Sequence, residues 1–292
     1  MSAVAPVRGV VRLRRARGQR SARRTELACG LTLLGVLLAA FVIVPVFSSY
    51  DPTAFVGSPN EAPSGEHLFG TDSLGRDLFV RCFAAGRTDA LIAFFGVGIS
   101  LVIGTALGVA VGLVRNRAVE AVALRLMDAV IAIPFVILVL ALVMIVGRDT
   151  SILGLPPGVP TVILAIALIT WAPYARLARA QTVVLRDREF VLAARTLGYS
   201  RRRITIRHIA PNVLGTALTH AAGEALLVII ATASLAFLGA GVQEPTPELG
   251  TMIYQGKDFL ETAWWQSITP GAIIVLLGFA ITLVADALIS DE

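Results

Sequence analysis

Six apolar runs, at residues 27–47, 89–113, 120–146, 160–179, 213–240 and 269–289, constrain this chain more than any other feature. Each is about 20 residues or longer, the length an α-helix needs to cross roughly 30 Å of hydrocarbon. In lipid a backbone must satisfy its own hydrogen bonds, which leaves helices or closed barrels. These runs lack the alternating pattern of barrel strands. The expected fold is all-α: a polytopic integral membrane protein with six transmembrane helices. With 56% hydrophobic and 15% charged residues and a mean hydropathy of +0.78, the bilayer is its main solvent.

The charges give the runs a direction. Twenty of the 25 basic residues fall in the tail 1–26, in 115–125 and in 176–207, while the complementary segments hold 11 of the 20 acids. Positive charge marks the cytoplasmic face, so both termini and the 180–212 loop are expected in the cytoplasm of a cell whose inner membrane the chain crosses. The opposite segments, 48–88 and 241–268, are then extracytoplasmic. Eight arginines ahead of the first run resemble the start of a secretory signal, but the run is long and no small-residue cleavage site closes it. We read it as an uncleaved span with a basic tail that orients the chain and binds no nucleic acid. Cys29 and Cys82 fall at opposite faces in this topology and cannot pair within the chain. His67, His208 and His220 lie on separate segments, so no metal site is expected.

The second run carries Gly96, Ser100, Gly104, Gly108 and Gly112 at every fourth position, spacing that lets two helices approach closely. A substrate groove is the alternative use of the same stripe. The loop 180–212 is too polar for lipid, yet it contains a helical run from Glu189, a stop at Gly198, an N-cap at Ser200, and Pro211 opening the next span. Phe190, Ala193, Ala194 and Leu197 recur at helical spacing, as a docking helix needs. A helix lying on anionic headgroups would use the same pattern.

Those residues also carry a resemblance. Leu192-Ala193-Ala194, Gly198 and Ile209-Ala210-Pro211 resemble the EAA signature of ABC importer permeases, approached through Trp171–Gln181. Phe69–Asp77 and Leu235–Gln243 are similar to stretches of the dipeptide/oligopeptide, DppC/OppC-like, class. Leu192 stands where the signature has its glutamate and Ala210 where it has leucine. The resemblance implies a type I ABC importer permease fold with residues 89–289 as its transmembrane core. It implies that Glu189, Leu192, Ala193, Ala194, Gly198, Ile209 and Pro211 dock on separate ATP-binding subunits. It also implies a second homologous permease and an extracytoplasmic peptide-binding protein as partners, and peptide cargo moved by alternating access. The same machinery serves glutathione or nickel complexes in other members.

No catalytic role is expected. The phosphate-cradling pattern G-x-x-x-x-G-K-S/T is absent, since Lys257 has Thr251 at the first glycine position and Asp258 behind it. ATP and Mg²⁺ therefore belong to partner subunits, and this chain needs no cofactor of its own. Ionisable groups inside spans cost on the order of 2.5–3.5 kcal/mol at mid-membrane, so each needs a partner or a purpose. Asp128 is expected to pair with Arg125 near a membrane surface. Glu224 either lines a water-filled path or meets a basic group. Pro134 is a candidate hinge. An ion-driven secondary transporter is the rival from another class, but such folds show internal repeats and none is visible.

Overall fold

In the computed structural model the chain is described at residues 8–147, 151–152, 154–239 and 241–289. The first seven residues of the basic tail, and Arg148 and Asp149 of the expected extracytoplasmic charges, lie outside them. Among the described residues ten α-helices follow in order: α1 (Arg8–Phe47), α2 (Leu78–Leu113), α3 (Arg117–Ala132), α4 (Phe135–Val146), α5 (Val159–Leu185), α6 (Glu189–Thr196), α7 (Arg201–Ile204), α8 (Ala210–Phe237), α9 (Leu249–Gly256) and α10 (Trp265–Ile289). A π-helical turn, Thr205–Ile209, joins α7 to α8.

Among the described residues, five helices are long and apolar enough to span a membrane unbroken. The third expected span, 120–146, is not one helix: α3 and α4 meet at 88°. Pro134 causes the break, because it has no amide hydrogen and forces the residue before it out of the helical region. Ile133 sits at φ −78°, ψ 128°, extended as that constraint demands.

The small residues of α2 lie against α5 along its length. Ser100 Oγ is 2.6 Å from Thr170 Oγ1. A Cβ on Gly96 would fall 3.0 Å from Ile166 Cγ2, and one on Gly112 would fall 2.6 Å from Thr182 Cβ. Gly104 and Gly108 face the carbonyl oxygens of Trp171 and Ala175. The stripe is thus a helix–helix seam, and side chains of any size would hold the two backbones apart. α1 closes the bundle on another side, with Phe41 fully buried over Gly86 and Gly30 against Leu283 and Val284 of α10.

α2 begins at Leu78, so residues 78–88 of the expected extracytoplasmic stretch are helical. Arg81 and Asp89, both buried near the start of α2, find polar partners in the folded chain, Arg81 at Pro52 O and Asp72 and Asp89 at Leu249 N. Residues 48–77 form turns and bends and no helix. Phe69–Asp77 ties that stretch together. Gly70 and Gly75 take φ +75° and +76°, which side chains disfavour, and a Cβ at either would fall against a carbonyl oxygen, of Glu61 and Gly57 respectively. Asp77 caps α2 by accepting from Val80 N at 2.9 Å and meets His67 Nδ1 at 2.8 Å. Asp72 accepts from Leu74 N and Arg76 N, both at 2.9 Å, and from Arg76 Nε at 2.6 Å. Its carboxylate lies 3.6 Å from Arg81 Nε, and Arg76 Nη2 reaches Glu244 at 3.1 Å. Trp265 and Gln266 of α10 bind the same turns through Thr71 O and Asn60 Oδ1.

Candidate functional site

At the opposite end of the bundle α5 runs on to Leu185, so the polar loop begins later than residue 180. Arg188 starts α6 by accepting from Val191 N and Leu192 N at 3.0 and 3.1 Å. The helix ends in a Schellman turn: Gly198 at φ +79°, Gly198 N donating to Arg195 O, and Tyr199 N donating to Ala194 O. Ser200 Oγ then accepts from Arg203 N at 3.3 Å, the N-cap of α7. Pro211 lies in the first turn of α8, where its missing donor costs least. Each punctuation mark in the sequence thus fixes one bend of the loop.

The faces of α6 divide differently from the sequence pattern. Val191 and Ala194 are buried with Ile204, Ile209 and Val213 against Val109 of α2 and Ala178 of α5. Phe190, Leu192 and Leu197 point outward, 44, 46 and 73% exposed, and Glu189, Ala193, Gly198 and Pro211 are exposed beside them. Ala194 and Ile209 are therefore the loop's own core, with no surface to offer a partner. Val191, which the sequence pattern passed over, anchors the helix, and its signal was its spacing of three from Ala194. Leu192 presents an apolar side chain where the EAA signature has a carboxylate. Around this face Arg188, Arg195, Arg202, Arg203 and Arg207 are exposed, with Arg203 lying 4.2 Å over the Tyr199 ring. The arrangement is a rigid, apolar-tipped, basic knob, suited to a protein groove that is apolar at its base and acidic at its rim.

The remaining candidates sit elsewhere. Asp128 pairs with Arg176 of α5, not with Arg125. Glu120 pairs with Arg179 one turn further along α5, so the two acids clamp α3 to α5. No local spacing in the sequence marks either pair. Glu224 Oε2 is 3.9 Å from His220 Nε2 on α8, and the His220 ring stands edge-on to Tyr174 with centroids 5.1 Å apart. Pro134 lies at the α3–α4 break.

Residues 104–290 match the family model described as a binding-protein-dependent transport system inner membrane component. The chain is 31% identical over 264 residues to a dipeptide transport system permease protein, DppC, of Alkalihalophilus pseudofirmus, covering 88% of this chain and 84% of the relative. It is 35% identical over 266 residues to a di/tripeptide transport system permease protein of Pseudomonas aeruginosa, covering 89% and 84%.

Proposed function

From the premise that the chain belongs to the binding-protein-dependent transport system inner membrane components, we propose that it is the peptide-carrying permease subunit of an ATP-driven importer. Membership makes it a multi-pass permease of the inner membrane. Beyond that, the basic knob faces the cytoplasm and docks on ATP-binding subunits, which hold ATP and Mg²⁺. The turns at 48–77 and the α9 region face an extracytoplasmic binding protein, and a second, homologous permease completes the path. Cargo passes without covalent change as the bundle opens alternately to each side, with the α3–α4 break at Pro134 as a pivot. The names of the relatives support di- or tripeptides as cargo.

One observation carries the docking assignment. Phe190, Leu192 and Leu197 are exposed on a short helix whose other face is locked into the bundle. An apolar tip held rigid and set among arginines is costly in water and useful against a partner. Leu192→Asp and Leu197→Asp alter only that outward face. In proteoliposomes holding the full transporter, each is expected to lower peptide uptake at least about tenfold, a loss near 1.4 kcal/mol of coupling, with normal insertion of the chain. Uptake at the parent rate in both variants would sink the assignment. The topology is checked by an impermeant thiol reagent on Glu66→Cys in a Cys29→Ser background, because native Cys82 is fully buried and unreactive. Labelling from outside intact cells is expected.

A further inference from the structure

Behind the docking face, between the loop and the end of α2, lies a cavity of about 480 Å³ that the docking assignment does not use. Leu113, Val114, Ile204 and Ile209 form its apolar wall, and Arg115, Arg186, Arg195 and Arg201 bring four guanidinium groups to it. No carboxylate lines it. Arg186 is partly committed: its Nη1 donates to Gly112 O at 2.7 Å, and its Nε stands 3.6 Å from Asp187, which is itself 65% exposed. Arg195 Nη2 donates to Arg186 O at 3.2 Å. Arg115 and Arg201 have no acidic partner among the described residues. Tyr199 and Thr205 complete the polar side.

Arg115, Arg195 and Arg201 are exposed and Arg186 half-buried, so the recess gathers positive charge with no acid in its lining to offset it, and like charges gathered in this way repel. Planar guanidinium forks match the paired oxygens of a phosphate better than they match water, and give short charge-assisted hydrogen bonds. The cavity sits at the ends of α2 and α5, where each helix leaves its apolar stretch. From this geometry we infer that the cavity is a binding site for a phosphate oxyanion, donated by an anionic phospholipid headgroup or by a soluble phosphate. The anion bridges Arg115 at the end of α2 to Arg195 and Arg201 of α6 and α7. It thereby ties the docking loop to the bundle by ionic contact as well as by the apolar core. The site does not depend on the docking assignment, since both its walls belong to this chain.

The test uses the assembled transporter in nanodiscs and three chains: the parent, Arg115→Gln/Arg201→Gln, and Arg125→Gln. Arg125 is exposed on α3, outside both the cavity and the docking face, and controls for loss of surface charge. Arg186 is left intact because it caps α2. In one arm, native mass spectrometry counts phosphatidylglycerol retained from mixed phosphatidylglycerol–phosphatidylcholine discs. In the other, inorganic phosphate is titrated calorimetrically against pure phosphatidylcholine discs. Binding of at least one probe by the parent and by Arg125→Gln, weakened at least about tenfold in the double variant, is expected. The arm that responds identifies the source. Single Arg201→Gln serves should the double variant fail to assemble, with the same direction of change. Equal binding by all chains overturns the site. So does no binding of either probe by the parent, which would leave the arginines to a carboxylate of the docked subunit.

Discussion

Replacing Gly108 by alanine opens the seam between α2 and α5. The added Cβ would press on the Ala175 carbonyl oxygen and lie 2.7 Å from Ala178 Cβ. Carbon atoms rest at about 3.5–4.0 Å, so the helices must part by about 1 Å. Neither a main-chain carbonyl nor a methyl stub can rotate out of the way. Overpacking costs about 1–3 kcal/mol, and rigid neighbours place Gly108 in the upper half of that range. Better helix propensity returns up to about 1 kcal/mol, leaving a net loss of about 1–2 kcal/mol. Gly98→Ala is the control, because its Cβ would meet no atom within 4 Å. That variant should match the parent or gain up to about 1 kcal/mol. Cys82, fully buried, reports the opening of the bundle when a thiol-reactive dye is followed on heating in a Cys29→Ser background. Gly108→Ala should react at a lower temperature than the parent and Gly98→Ala should not. Gly108→Ala melting with or above the parent would refute close contact along this seam.

Two further outcomes follow from the opposite end of the bundle. Asp72→Asn strands buried Arg76 and Arg81 with Glu244 as their remaining acid, a loss of about 3–5 kcal/mol by analogy with broken buried pairs. Trypsin should then cut after Arg76, which is 4% exposed, and unchanged resistance would contradict the network. Glu248 caps α9 by accepting from Gly250 N and Thr251 N, at 2.8 and 2.7 Å, with Asp89 of α2 as its acidic neighbour. Burial pushes its carboxyl above the ordinary value of 4.5, outweighing those hydrogen bonds. A raised folded value stabilises the docked helix fully below the unfolded one and progressively less as pH climbs through it. Hydrogen exchange in α9, corrected for intrinsic rates, should therefore speed up with rising pH in the parent and respond less in Glu248→Gln; equal slopes would count against the buried carboxyl.

What the sequence made legible was whatever acts locally. Gly198, Ser200, Pro211 and Pro134 each dictate backbone geometry at their own position, and each sits at the bend it implies. The small-residue stripe of α2 was readable because its period is that of one helix face. Long-range partners were not. Asp128 is bound by Arg176 and Glu120 by Arg179, across two helices that no spacing relates. The inward turn of Ala194 depends on Val109 and Ala178, which the loop meets only after the bundle has assembled. The early start of α2 was hidden for a related reason: Arg81 is a poor membrane residue until Asp72 and Glu244 fold over it.

The ties among Asp72, Arg76, Arg81 and Glu244 join two stretches of chain more than 160 residues apart. Their charges balance only as a set, so a change at one creates pressure for change at the others. Across divergent descendants of this chain these four positions should be inherited or replaced together, and grafting residues 48–81 into a relative should succeed only when its counterpart of Glu244 travels with them.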